Sequence, residues 1–185
     1  MNNFENKWWL YFVPECYFDT VLLRKILYAD KKRLVHRKGC NNVVNDLNSE
    51  RLKNSFAVGI IDKDKTELDY LKDCTVLYNA DKLILWKHND RLQFVIQFNP
   101  PLENWIIEIL DENGLAIEDF GYSRDFKRLK KQIKADIDSE GDEKLNSLIS
   151  AILKIDCASI RKIKSVLTYL KDKNYQADTN ELINV

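Results

Sequence analysis

The stretch Phe56-Ala-Val-Gly-Ile-Ile-Asp-Lys-Asp-Lys65 decides how the rest of the chain is read. Its first six residues are apolar and rich in β-branched side chains, with a single glycine. That composition suits a strand buried on both faces, as in a parallel sheet. The run stops at Asp62, and Asp64 follows with only Lys63 between them. Ligands of open α/β sheets collect in the crevice outside the carboxyl ends of the strands. Two carboxylates placed there offer hard oxygen ligands to Mg²⁺. Asp is also common in turns, where its side chain bonds nearby backbone. The pair by itself therefore leaves a metal site and a charged turn both open.

Working back from this strand, Asn42 can cap a helix covering Val43, Val44, Leu47 and Leu52, after a turn over Gly39–Asn42. Leu34–His36 reads as a short strand. Cys16–Tyr28 has helical spacing, with Phe18, Val21, Leu22, Ile26 and Leu27 apolar. Trp8–Val13 is aromatic and branched and reads as the first strand; it is too short for a secretory leader and lacks a cleavage pattern. Glu15 falls at the end of that strand and Asp19 one helical turn on. The order β-α-β-α-β predicts a mainly parallel sheet with right-handed crossovers. Neighbouring parallel strands share one carboxyl edge, so Glu15, Asp62 and Asp64 can converge there. A divalent cation would offset the repulsion among them.

Working forward, Glu67–Lys72 reads as a short helix and Thr75–Tyr78 as a strand. Leu83–Lys87 and Leu92–Phe98 flank His88-Asn-Asp-Arg91 as an antiparallel hairpin. Asn99-Pro-Pro101 ends it and opens a helix over Leu102–Leu110, with Glu103 in the first turn and Trp105, Ile106, Ile109 and Leu110 on one side. Three amphipathic segments follow, at 124–137, 142–155 and 159–171, each with an apolar stripe that must be buried. The expected organisation is an α/β domain over 1–122 and a helical C-terminal part over 123–185 packed on it, with 172–185 fraying.

Charge and cysteine content narrow the classes. Lys+Arg and Asp+Glu balance at 29 each, so net charge does not point to a polyanion. Local charge does: Arg124, Lys127, Arg128, Lys130, Lys131 and Lys134 make one basic helix. Such a face can track a nucleic-acid backbone or simply be solvated. Lys63 and Lys65 can hold a phosphate or balance the two aspartates. The four cysteines are scattered without a C-x-x-C pair, and the two histidines are far apart. This pattern predicts reduced thiols in a cytoplasmic protein and neither a disulfide framework nor a zinc site. No stretch is long enough to span a membrane.

Three segments in order carry a resemblance: Val13-Pro-Glu15-Cys-Tyr-Phe-Asp19, Gly39-Cys-Asn-Asn-Val43 and Val58-Gly-Ile-Ile-Asp62-Lys-Asp64. Together they resemble a Toprim domain, the topoisomerase–primase catalytic fold, in the form found in overcoming-lysogenization-defect type nucleases. Phe98-Asn-Pro-Pro-Leu-Glu103-Asn-Trp105 is similar to the Asn-Pro-x-Phe-Glu-x-Trp motif of RloB-type abortive-infection Toprim-like proteins, with Leu102 in place of the Phe. The resemblance implies a Toprim-like sheet and Mg²⁺- or Mn²⁺-dependent phosphodiester chemistry on DNA or RNA, in phage defence. It makes Glu15 a metal ligand or general base, Asp62 and Asp64 the metal pair, Asp19 a secondary acid and Glu103 an added ligand. Nucleases of this class carry an ATPase segment; no G-x-x-x-x-G-K-[ST] occurs here, so this chain would act alone or borrow an ATPase from a partner. Cys16 stands where the family has Gly, and only Gly39 of the Gly-rich turn is present. Two alternatives therefore stay open: a non-catalytic module of the same fold, and a small-molecule phosphohydrolase.

Overall fold

The computed structural model describes residues 7–29, 34, 36–63, 68–134 and 143–185, with the side chain of Lys134 outside the description. Five strands form one mixed sheet in the order β1-β2-β5-β4-β3. They are β1 (Phe12–Pro14), β2 (Ala57–Asp62), β3 (Cys74–Ala80), β4 (Leu83–His88) and β5 (Gln93–Phe98). β1, β2 and β5 run parallel, with Phe12 opposite Val58 and Val58 opposite Phe94. β4 pairs antiparallel with both β5 and β3. The fold is thus α/β with a parallel half and an antiparallel half, as the strand pattern predicts.

Helices cover both faces. On one side lie α1 (Tyr17–Leu27), α4 (Leu102–Glu112), α5 (Phe126–Lys134), α6 (Glu143–Ile152) and α7 (Ala158–Lys173). Their apolar stripes share one core with Phe12, Val58, Ile60, Phe94, Ile96 and Phe98. On the other side α2 (Cys40–Leu47) and α3 (Asp69–Lys72) cover Val13, Ala57, Ile61 and Val95. All six residues of β2 are buried because successive side chains enter opposite layers. The C-terminal helices are tied to α1 by polar bonds as well. Lys171 donates to the Leu27 carbonyl at 3.1 Å, and Lys25 to Ser150 Oγ at 3.1 Å. Among the described residues no helix is long and apolar enough to cross a membrane.

Gly59 lets α2 sit close on the centre of β2. A Cβ there would stand 3.1 Å from both Leu47 Cδ1 and Val43 Cγ1. Both neighbours are fully buried and have little room to give way. Gly59→Val is therefore expected to destabilise the fold by about 1–3 kcal/mol through overpacking. A urea melt reads this directly; an unshifted midpoint would mean that α2 is not seated on that glycine.

Three expectations are corrected. Trp8–Tyr11 is a 3-10 turn, and the strand begins only at Phe12. The register explains this: Phe12 is opposite Val58 and β2 starts at Ala57, so Trp8–Leu10 have no strand to pair with. The Trp8 ring instead packs edge-on against Phe12, with centroids 5.4 Å apart. Leu34 and His36 are not in a strand, and Val35 lies outside the described residues. That segment reaches the sheet through the Arg37 N–H, which donates to the Pro14 carbonyl at 2.8 Å. Finally, residues 174–183 are structured. Asp178 caps α8 (Thr179–Ile183) by accepting from the Asn180 and Glu181 N–H groups, and Leu182 is fully buried.

Candidate carboxylate site

The parallel half of the sheet brings the carboxyl ends of β1, β2 and β5 side by side. Each is followed by an acid. Glu15 comes directly after β1, and its N–H extends the ladder by donating to the Ile60 carbonyl at 3.0 Å. Asp62 ends β2. Glu103 lies in the first turn of α4, which follows β5 after Asn99-Pro-Pro101. Glu15 and Asp62, read from sequence as neighbours on one sheet edge, stand at the ends of adjacent parallel strands; Asp64, the third acid of that reading, lies outside the described residues.

Two hydrogen bonds lock this edge together. The Asp62 N–H donates to Glu15 Oε2 at 2.9 Å. The Leu102 N–H donates to Asp62 Oδ1 at 3.1 Å. Leu102 opens α4 behind Pro101, so its N–H is one of the helix-end donors without an intrahelical acceptor. Asp62 supplies that acceptor from another strand. The pattern Pro-Pro followed by an amphipathic helix signals such an orphan donor, but not which carboxylate receives it. Glu103, one residue further, gains from the partial positive charge of the helix start and is fully buried.

Asp19, in the first turn of α1, is buried. Its Oδ2 accepts from the Cys16 N–H at 3.1 Å, and Thr20 Oγ1 donates to the Cys16 carbonyl at 2.9 Å. Asp19 therefore closes the first turn of α1 and holds the backbone directly after Glu15 in place. Lys63 has an exposed side chain at the mouth of the edge, while its N–H is fixed on the Phe98 carbonyl at 2.9 Å. Asp64 and Lys65 lie outside the described residues. Among the described residues, no group of three or more His, Cys, Asp or Glu side chains is placed to hold a metal ion.

The basic helix α5 shows Lys127, Arg128, Lys130 and Lys131 to solvent and buries Leu129 and Ile133. Arg124, just before it, pairs with Asp111 and Glu118. Asp111 is eight residues beyond Glu103, about 12 Å along α4. The approach to α5 is thus anchored at the end of α4 away from the carboxylates.

The surroundings of three cysteines and of His88 bear on their reactivity. Cys16 and Cys40 are buried. Burial, with the Asp73 charge second, pushes the Cys74 thiol up to about 11, so it carries little thiolate at neutral pH. His88 is buried against the Tyr70 ring, and its Nδ1 accepts from the Asp90 N–H at 3.2 Å. Burial first, and Arg91 second, lower its pKa.

Comparison with protein-family models, with curated proteins and with solved structures returned no match to this chain.

Proposed function

We propose that the chain is a Toprim-like nuclease: a metal-dependent phosphodiester hydrolase acting on nucleic acid, with a role in phage defence. The observation that carries this reading is the bonded pair Glu15 and Asp62 at the carboxyl ends of two adjacent parallel strands. The donor set there is all oxygen, without thiolate or imidazole, which fits Mg²⁺ or Mn²⁺ rather than zinc. Asp62 and Asp64 would hold the ion, with Glu103 joining them. When bound, the ion supplies neutralisation of phosphate charge and a water of lowered pKa. Glu15, held in place by the Asp62 N–H, accepts the proton of the attacking water. Lys63 and Lys65 orient the phosphate, and α5 adds a basic surface away from the site. An ATPase, if the reaction needs one, comes from a separate chain.

A second reading, a non-catalytic module of the same fold, is favoured by burial. Glu15 keeps only 6% of its surface exposed, Asp62 4% and Glu103 none. One experiment separates the two. Mn²⁺ is titrated calorimetrically into wild type and Asp62→Asn with a short oligonucleotide present, and DNA and RNA oligonucleotides are then screened for cleavage. Asn keeps the acceptor for Leu102, so the fold should survive. The nuclease reading expects a binding heat that is lost in the variant and cleavage that stops with chelator. Absent heats in wild type, together with intact oligonucleotides, would leave the non-catalytic module.

A further inference from the structure

A second cluster lies on the outer edge of β1, and none of Glu15, Asp62 and Glu103 lines its cavity. Arg37 Nε and Arg51 Nη2 both donate to one oxygen, Asp46 Oδ2, at 2.8 and 2.9 Å. Arg51 Nη1 also donates to the Leu10 carbonyl at 2.6 Å. The three side chains come from the loop before α2, from α2 itself and from the turn after it. Together with Trp9, Leu10, Phe12 and Val13 they line a cavity of about 130 Å³.

The charges in this cavity do not balance. Two guanidinium groups converge on one carboxylate oxygen, which neutralises only one of them. The side chain of Asp46 is 14% exposed, whereas those of Arg37 and Arg51 are 38% and 42% exposed. The negative partner is thus the deepest of the three, and the positive groups face the opening. The described contacts use one N–H of Arg37 and two of Arg51. Guanidinium carries five donors in a planar fork that matches phosphate oxygens. The cavity is smaller than the roughly 300–1,000 Å³ of sites that enclose a whole drug-sized ligand. It suits a small anion, or the anionic end of a larger molecule.

We infer that the Arg37–Asp46–Arg51 cavity is a phosphate-binding subsite. Asp46 Oδ2 aligns the two guanidinium groups by accepting one hydrogen bond from each, a role that the amide oxygen of Asn can keep. A phosphate then supplies the second negative charge through charge-assisted bonds. This assignment does not depend on the carboxylate site, because no metal takes part.

The test is run in chelator, on the full chain, by calorimetry. The probes are inorganic phosphate and two decamer DNAs of one sequence, with a 5′-phosphate or a 5′-hydroxyl. Phosphate should bind wild type, and Arg37→Gln should weaken it at least fivefold with the melting temperature recorded alongside. Tighter binding of the 5′-phosphorylated strand identifies a terminal phosphate as the natural group; equal binding of both strands identifies a backbone phosphate. Asp46→Asn removes the internal competitor, and should bind phosphate at least twofold tighter. Should Arg37→Gln fail to fold, the Asp46→Asn result decides. No phosphate binding by wild type, unchanged affinity in Arg37→Gln, or unchanged or weaker affinity in Asp46→Asn overturns the assignment. The trio would then be an ion-pair cluster that pins the Trp8–Tyr11 turn to α2.

Discussion

Glu15→Gln is expected to remove at least about a hundredfold of any metal-dependent cleavage activity, the lower end of what general base catalysis contributes. The substitution is informative because of the hydrogen bond that Glu15 makes. Glu15 Oε2 accepts from the Asp62 N–H at 2.9 Å, and the amide oxygen of Gln can accept the same bond. Structure should be kept while the negative charge and the basic oxygen are lost. Glu15→Ala is different: it leaves a buried N–H without its acceptor, at about 1–3 kcal/mol. Single-turnover cleavage rates, set beside urea melts of both variants, separate chemistry from folding. Equal rates for wild type and Glu15→Gln would take the role of base away from Glu15.

Trp105→Ala is expected to cost about 3–5 kcal/mol, the range for emptying the space of a large buried aromatic. For a chain of this length that corresponds to a fall in Tm of roughly 10 °C. Trp105 is fully buried and meets Phe98 edge-on, with centroids 5.0 Å apart. Phe98 is the last residue of β5, so this contact seats the start of α4 on the end of the strand. The same seating places Leu102 against Asp62 and Glu103 beside it. The indole N–H has no hydrogen-bond partner among the described residues, so the contribution of Trp105 is packing. Trp105→Phe should therefore recover a substantial part of the loss. Thermal melts of the two variants check this; similar small losses in both would mean that the α4 start is held by its hydrogen bonds alone.

The carboxylate edge lies at the end of β1 and the arginine cavity along its flank, so the two share a backbone. Pro14 O receives the Arg37 N–H on the outer side, and the next residue, Glu15, bonds inward to Ile60. A three-residue strand thus carries one candidate site on its end and another on its flank. That places unusual weight on a short edge strand. It is held by Asp19 from α1, by β2 along its length and by the Arg37 loop outside.

Local pattern was sufficient wherever one residue's neighbours along the chain settle its fate. The apolar run Phe56–Ile61 becomes the fully buried β2 strand, because no polar side chain interrupts it on either face. The 3.6-residue stripes from Leu102, Glu143 and Ala158 become helices with those faces inward. The hairpin around His88–Arg91 forms between two alternating or apolar runs. Glu15 and Asp62 were legible as site candidates because each stands at the end of a strand and parallel strands share one edge, whereas Glu103 was pointed to only by the resemblance of the Asn99–Trp105 segment.

Tertiary structure decided what depends on partners distant in sequence. The first strand is cut to Phe12–Pro14 by where β2 begins, a matter of register that no local propensity contains. That one oxygen of the Asp19 carboxylate accepts from the Cys16 N–H depends on how the chain turns into α1. The polar-looking tail after Asp172 folds because Leu182 finds a buried place and Asp178 a helix to cap. Arg37, Asp46 and Arg51 carry no motif, since they meet only when the loop, helix and turn around β1 close on one another. Sequence determines the elements through short-range sterics and periodicity. Which carboxylate meets which N–H, and which charges share a cavity, is set by long-range packing against the sheet.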